Sequence, residues 1–290
     1  MASLLIIFRA VLSASASGLQ KHLLTLGAGS MRVWFGTYAL MLLPCGLLSL
    51  PGSIRMPAAF WLYGLLGGTL DAIGNVAMVK ALRGTDLSIF GPLNGLRAIL
   101  ALIFGWIFLG ESPTRMGGLG VLLTIVGTVL VFRRPGHRQD LSPVNSEMRQ
   151  ILFWRVAGLS FSVAAAAFLK RAALIGPTSL TLTVWTVCAL ASVLLAMSLF
   201  GQAGNLFRLN GPLIADRWLW LHALVFFGLQ WLTIRIFQTT LLSYSFAYFQ
   251  LAMVFQVVLG RVVFKECAFG SRLAGCLIIA AGSALIAWKG

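Results

Sequence analysis

Five ionisable side chains stand inside long apolar runs of this sequence: Arg9, Asp71, Lys80, Arg97 and Arg235. A charge at bilayer depth is costly, so such residues are expected to face a protein interior or water. Guanidinium groups in that setting suit bidentate capture of a carboxylate or phosphate. Arg97 has Asn94 one turn earlier on the same helical face, and Asp71 has Asn75 one turn later. Asp71 and Arg97 fall at a shared depth in neighbouring runs. They read either as a buried ion pair that fixes packing or as a substrate clamp or proton-sensitive gate. Arg235 is flanked by Trp231 and Gln238, which would present a charge, an amide and an aromatic wall together; the alternative is snorkelling to an interface, an alternative that weighs more for Lys80. Arg9 shares one stripe with Ser13, Ala16 and Gln20, and the ninth run adds Tyr244, Tyr248, Gln250 and Gln256. The candidate substrate-binding set is Arg9, Asp71, Asn75, Asn94, Arg97, Trp231, Arg235, Gln238 and Tyr248.

The elements that must position these residues follow from composition. Of 290 residues, 59% are hydrophobic and only 10% charged, against about 25% charged in soluble domains. Apolar runs near the ~20 residues needed to cross a bilayer recur along the whole length. Backbone groups in lipid must be satisfied within each segment, so the spans are helices. The fold class is all-α, a polytopic membrane protein with ten transmembrane helices at roughly 2–22, 31–50, 58–81, 86–110, 115–133, 150–172, 178–200, 217–240, 243–264 and 271–288. The formal net charge of +15 is assigned to loops facing cytoplasm and anionic lipid. Without a basic soluble domain, no nucleic acid partner is expected. Cys45, Cys188, Cys267 and Cys276 match no disulfide or zinc spacing. The first span has no basic residue before Arg9, which interrupts the apolar stretch, so it reads as uncleaved rather than as a signal peptide.

The chain repeats itself. At a constant offset of 155, Lys80 lands on Arg235, Thr85 on Thr240, Ser88 on Ser243, Gly105 on Gly260 and Glu111 on Glu266. Gly120 and Gly127 land on Gly275 and Gly282. Earlier, Lys21, Gly27 and Ser30 match Lys170, Gly176 and Ser179 at an offset of 149. The domain reading is one five-helix repeat over 1–133, a polar linker over 134–149 and a second repeat over 150–290. Five is odd, so the second copy inserts inverted, an arrangement that places a substrate site near the midplane. Glu111 and Glu266, which close the fourth and ninth spans, read as structural, paired with a base such as Arg115 or Arg272 or capping the turn.

The Pro92, Leu109-Gly110-Glu111, Gly120 and Gly127 signature, with Lys265-Glu266, Gly275 and Gly282 in the second half, resembles the EamA type of the drug/metabolite transporter superfamily. Ala247 and Lys265 depart from that pattern. The resemblance implies a secondary active transporter, an exporter of a small polar metabolite across the bacterial inner membrane by alternating access. The excess of embedded bases over acids narrows the substrate to an organic anion or an amino acid. A proton or counter-substrate is the expected coupling partner. No nucleotide-binding loop, zinc motif or catalytic cluster is recognisable, so neither a cofactor nor an enzyme activity is expected. Two alternatives stand beside this: a lipid or lipid-phosphate flippase on the same fold, and a membrane enzyme acting on a lipid-linked substrate. Loops after odd-numbered spans carry most of the Lys and Arg, which places both termini outside; the resemblance implies both inside.

Overall fold

The computed structural model describes residues 2–26, 30–49, 55–82, 96–132, 146–199, 216–252, 254–255 and 269–289. Among these described residues the chain is helical and contains no strand. In order the helices are α1 (Ala2–Thr25), α2 (Ser30–Ser49), α3 (Ala58–Leu82), α4 (Leu96–Leu109) and α5 (Arg115–Phe132). Then follow α6 (Ser146–Ile175), α7 (Thr178–Leu199), α8 (Arg217–Thr239), α9 (Leu242–Phe249) and α10 (Phe269–Lys289). Each lies on one expected span. α6 begins earlier than 150 because its first turns, which include Glu147 and Arg149, are polar helix beyond the apolar run. α9 closes at Phe249, where the Gln250 N–H turns back to the Ala247 carbonyl at 3.1 Å. The beginning of the expected fourth span, the linker, and Lys265, Glu266 and Cys267 lie outside the described residues.

Segments 153–175, 178–199 and 217–239 are each long and apolar enough to cross a bilayer, and α1, α2, α4, α5 and α10 carry shorter apolar cores. The chain is a polytopic all-α membrane protein. Leu47, Trp106, Leu195, Leu224 and Leu277 are exposed, as apolar side chains are where the surrounding medium is acyl chain and not water.

The chain divides into two compact units, each drawing on both halves of the sequence. The first contains 1–72 and 168–239; the second contains 73–167 and 240–290. In the first, α1 and α2 pack with α7 and α8 around Tyr38, Met41, Leu182, Trp185 and Phe226. α2 carries Pro44, and just beyond it Ser49 and Thr183 hydroxyls both donate to the Cys45 carbonyl, at 2.8 and 3.3 Å. The break expected at Gly176-Pro177 is present: the Phe60 ring occupies the space where a side chain at Gly176 would stand, and the Pro177 carbonyl accepts the Thr181 N–H at 3.1 Å.

The second unit is built around α5 and α10, which pack through glycine. A Cβ on Gly120 would meet the Gly282 carbonyl at 2.8 Å, and one on Gly127 the Gly275 carbonyl at 2.7 Å. The contact is antiparallel. Exchanging 120 with 275 and 127 with 282 maps it onto itself, as a local two-fold between the repeats requires. The same exchange carries Thr124, against Gly282, onto Ile279, against Gly127.

Candidate functional sites in the two units

In the first unit, Arg9 reaches from α1 to α8, where its Nε–H donates to Thr233 Oγ1 at 3.0 Å. Thr233 passes its own proton to the Leu229 carbonyl at 2.8 Å, so the acceptor lone pair is aimed at the guanidinium. Across the same core, Tyr38 is enclosed by aromatic rings. Trp34 stacks on it and Trp185 meets it edge-on, both at 5.5 Å, with Phe226 at 6.2 Å. Asp71, on α3, is within electrostatic reach of Tyr38. His222, fully buried on α8, lies with Nδ1 2.9 Å from Thr37 Oγ1 on α2. The Thr37 hydroxyl has one proton and donates it to the Val33 carbonyl at 2.7 Å. In that arrangement His222 Nδ1 carries the proton of the shared bond.

The expected face of Trp231, Arg235 and Gln238 separates into three environments. Trp231 packs against Phe227, ring centres 6.0 Å apart. Gln238 is committed to the α6–α7 junction: its Nε2 donates to the Ala173 carbonyl at 2.7 Å and its Oε1 accepts from Thr178 at 3.2 Å. Arg235 is exposed. Spacing along one helix places the three on a common stripe; it cannot show which of them a neighbouring helix covers.

In the second unit, Arg97 is half-buried on α4, and Arg155 is buried on α6. Tyr248 is buried on α9 beside Tyr244, whose hydroxyl oxygen accepts the Thr114 N–H at 2.9 Å. Glu111 Oε2 accepts the Leu242 N–H at 2.6 Å. The turn between α4 and α5 is thereby fastened to the start of α9. Of the remaining candidates, Asp71 belongs to the first unit and Arg97 to the second. The side chains of Asn75 and Lys80, and all of Asn94, lie outside the described residues. Among the described residues no group of three or more His, Cys, Asp or Glu gathers to hold a metal ion.

Three functional candidates escaped sequence reading: Arg155, Tyr38 and the Thr37–His222 pair. Arg155 stands near the start of its span, where a basic residue reads as an interfacial anchor. Its signal was helical phase, since Leu159 and Val163 continue its stripe and are fully buried. Tyr38 and His222 each have an aromatic one turn away, Trp34 and Phe226. The bond from Thr37 to His222 crosses 185 positions of chain, a separation no local pattern encodes.

The EamA-like transporter family matches residues 1–133. A Sinorhizobium protein described as an uncharacterized transporter in the cobO 3′ region is 32% identical over 77 residues, which cover 27% of this chain and 55% of that protein. The match thus spans about half the length of that curated relative. A solved crystal structure superimposes with a TM-score of 0.70 at 18% identity, covering 98% of this chain and 95% of the other. That likeness concerns the fold alone.

Proposed function

We propose that the chain, whose residues 1–133 match the EamA-like transporter family of the drug/metabolite transporter superfamily, is a secondary active transporter that exports a small polar metabolite. The substrate carries a negative group, as an organic anion or an amino acid does. The observation that carries this reading is the bias of charge within the helices. Arg9, Arg97 and Arg155 stand on helix faces that are wholly or partly buried, against Asp71 as the acid of α3. Arginine binds carboxylate and phosphate through two parallel N–H donors. An amino acid would use Asp71 for its ammonium and an arginine for its carboxylate. Alternating access driven by a proton or a counter-substrate fits a chain with no nucleotide-binding loop.

The test is uptake and counterflow in proteoliposomes with labelled amino acids, carboxylates and phosphate monoesters. Saturable accumulation of one class is expected, with Arg97→Ala reducing kcat/KM about tenfold or more, the cost of one charge-assisted contact. If no class competes, and Arg97→Ala and Arg235→Ala both leave transport intact, the anion reading is wrong. Movement of a labelled phospholipid across the bilayer in place of any soluble solute would favour a flippase.

A further inference from the structure

His222 is 1% exposed and stands about one and a half turns from the start of α8, a segment long enough to cross the bilayer. A phenyl ring would fill the same space with no polar atom to satisfy. Histidine is the side chain that ordinarily gains and loses a proton between about pH 5 and 8. Its two ring nitrogens have different tasks here. Nδ1–H donates to Thr37 Oγ1 at 2.9 Å, and Thr37 accepts because its own proton goes to the Val33 carbonyl at 2.7 Å. That bond persists in the neutral and the charged ring alike, since Nδ1 carries a proton in both. A change of protonation therefore falls on Nε2. Phe226, one turn on, lies nearly parallel to the imidazole, ring centres 5.9 Å and planes 16° apart, and its face attracts an imidazolium. The helices packed against α8 are α1, α2 and α7, and none of them contains Asp or Glu. A charged His222 is thus not locked into an ion pair with them. On α1, Arg9 is held by Thr233, about three turns further along α8, and His22 meets Trp218 edge-on, one turn before His222. α2 brings Cys45 and also Tyr38, which lies within electrostatic reach of Asp71 on α3. α7 brings Cys188 and no charge. On α8 itself, Arg217 lies over Trp218 at 5.5 Å and Arg235 is exposed. Two acids elsewhere are engaged as helix caps: Glu111 Oε2 accepts the Leu242 N–H, and Asp216 Oδ1 accepts the Trp218 N–H at 2.9 Å.

We propose that His222 carries the coupling proton of the transport cycle, binding it at Nε2 while Nδ1–H stays on Thr37. The assignment deepens the transporter reading and rests on it for the cycle, although the ring can titrate without transport. The Nε2 lone pair takes a proton from water when one face of the membrane is open, and the new N–H bond breaks to water when the other is open. The ring passes from neutral to a single positive charge and back, and nothing is oxidised or reduced. Enclosure in the described conformation prevents a leak, because Nε2 exchanges with water only when the packing of α8 on α2 loosens.

The first measurement is nitrogen-15 NMR of the imidazole in nanodiscs between about pH 5 and 8, with His22→Gln and His137→Gln leaving His222 as the single histidine of the three. Nδ1 is expected to stay protonated throughout, and Nε2 to gain a proton as the pH falls. A ring that keeps one form over that range, or that titrates at Nδ1, overturns the proposal. The second uses proteoliposomes with labelled alanine, succinate and glycerol phosphate. A gradient of one pH unit should concentrate the transported solute about tenfold per proton in the wild type. It should not do so in His222→Asn, whose amide keeps a donor for Thr37 but takes up no proton. Counterflow, which needs no net proton movement, should persist in that variant and shows that it is folded. The spectra use the native ring, so they decide where His222→Asn does not fold. Accumulation by His222→Asn at the wild-type level, or its loss in Asp71→Asn alone, overturns the assignment. Titration at Nε2 with no solute moved would retain this site and refute the transporter reading; accumulation that follows a counter-substrate and ignores His222→Asn would do the reverse.

Discussion

Glu111 ends α4, where a carboxylate opposes that helix's dipole. Its charge is instead used by another helix. Leu241, at the N-cap of α9, has no side-chain oxygen to offer, and Glu111 Oε2 takes the Leu242 N–H in its place. At a helix N-terminus the dipole and the carboxylate agree. Gly105 leaves room for this, since a Cβ there would stand 3.1 Å from Oε2. Glu111→Ala should lower stability by about 1–2 kcal/mol, the usual cost of a lost cap, and Glu111→Gln by less, because an amide oxygen still accepts. Thermal unfolding in detergent reads the difference; a Gln variant as unstable as the Ala variant would contradict capping. Gln238 is tested in the same way. Gln238→Leu leaves the Ala173 carbonyl without its side-chain donor and should cost about 1–3 kcal/mol, with substrate KM unchanged, since both ends of the amide are already occupied by α6 and α7.

At the level of the element, the glycines that carry the repeat turn out to carry the contact. Seven residues apart, they lie on one face of α5 and one face of α10, and these two faces meet. In lipid there is no hydrophobic drive between helices, so close backbone approach and dispersion hold such pairs together. Gly127→Ala should separate the helices or strain them, at about 1–3 kcal/mol. Gly118, on the same helix, has open space where a Cβ would stand. Gly118→Ala should be neutral or stabilising by up to about 1 kcal/mol. Equal losses for the two variants, measured by thermal unfolding, would refute the packing account. Gly110 is a different case: its φ of +67° closes α4 in the left-handed region, so its glycine is required by the backbone and not by a neighbour.

For the whole molecule, we propose that ten spans, read as two repeats of five, put both termini on one face of the membrane and the linker on the other. Cysteines introduced at His137 and Trp288, after replacement of the native cysteines by alanine, should label from opposite sides with an impermeant maleimide in oriented vesicles. Labelling of both from one side would break the inverted arrangement. The sequence by itself determined the class, the succession of apolar helices and the glycine faces. Bilayer thickness acts on each segment separately and leaves its mark as a run of apolar residues. It also exposed the embedded charges, because a base within such a run stands out wherever it falls. Only the tertiary structure decided what each of those charges meets. It joined Arg9 to Thr233, committed Gln238 to a helix junction and left Arg235 exposed. Those outcomes depend on how far each helix is rotated about its axis. That rotation is set by contacts of a few ångströms between segments up to 224 positions apart, and no single segment contains it.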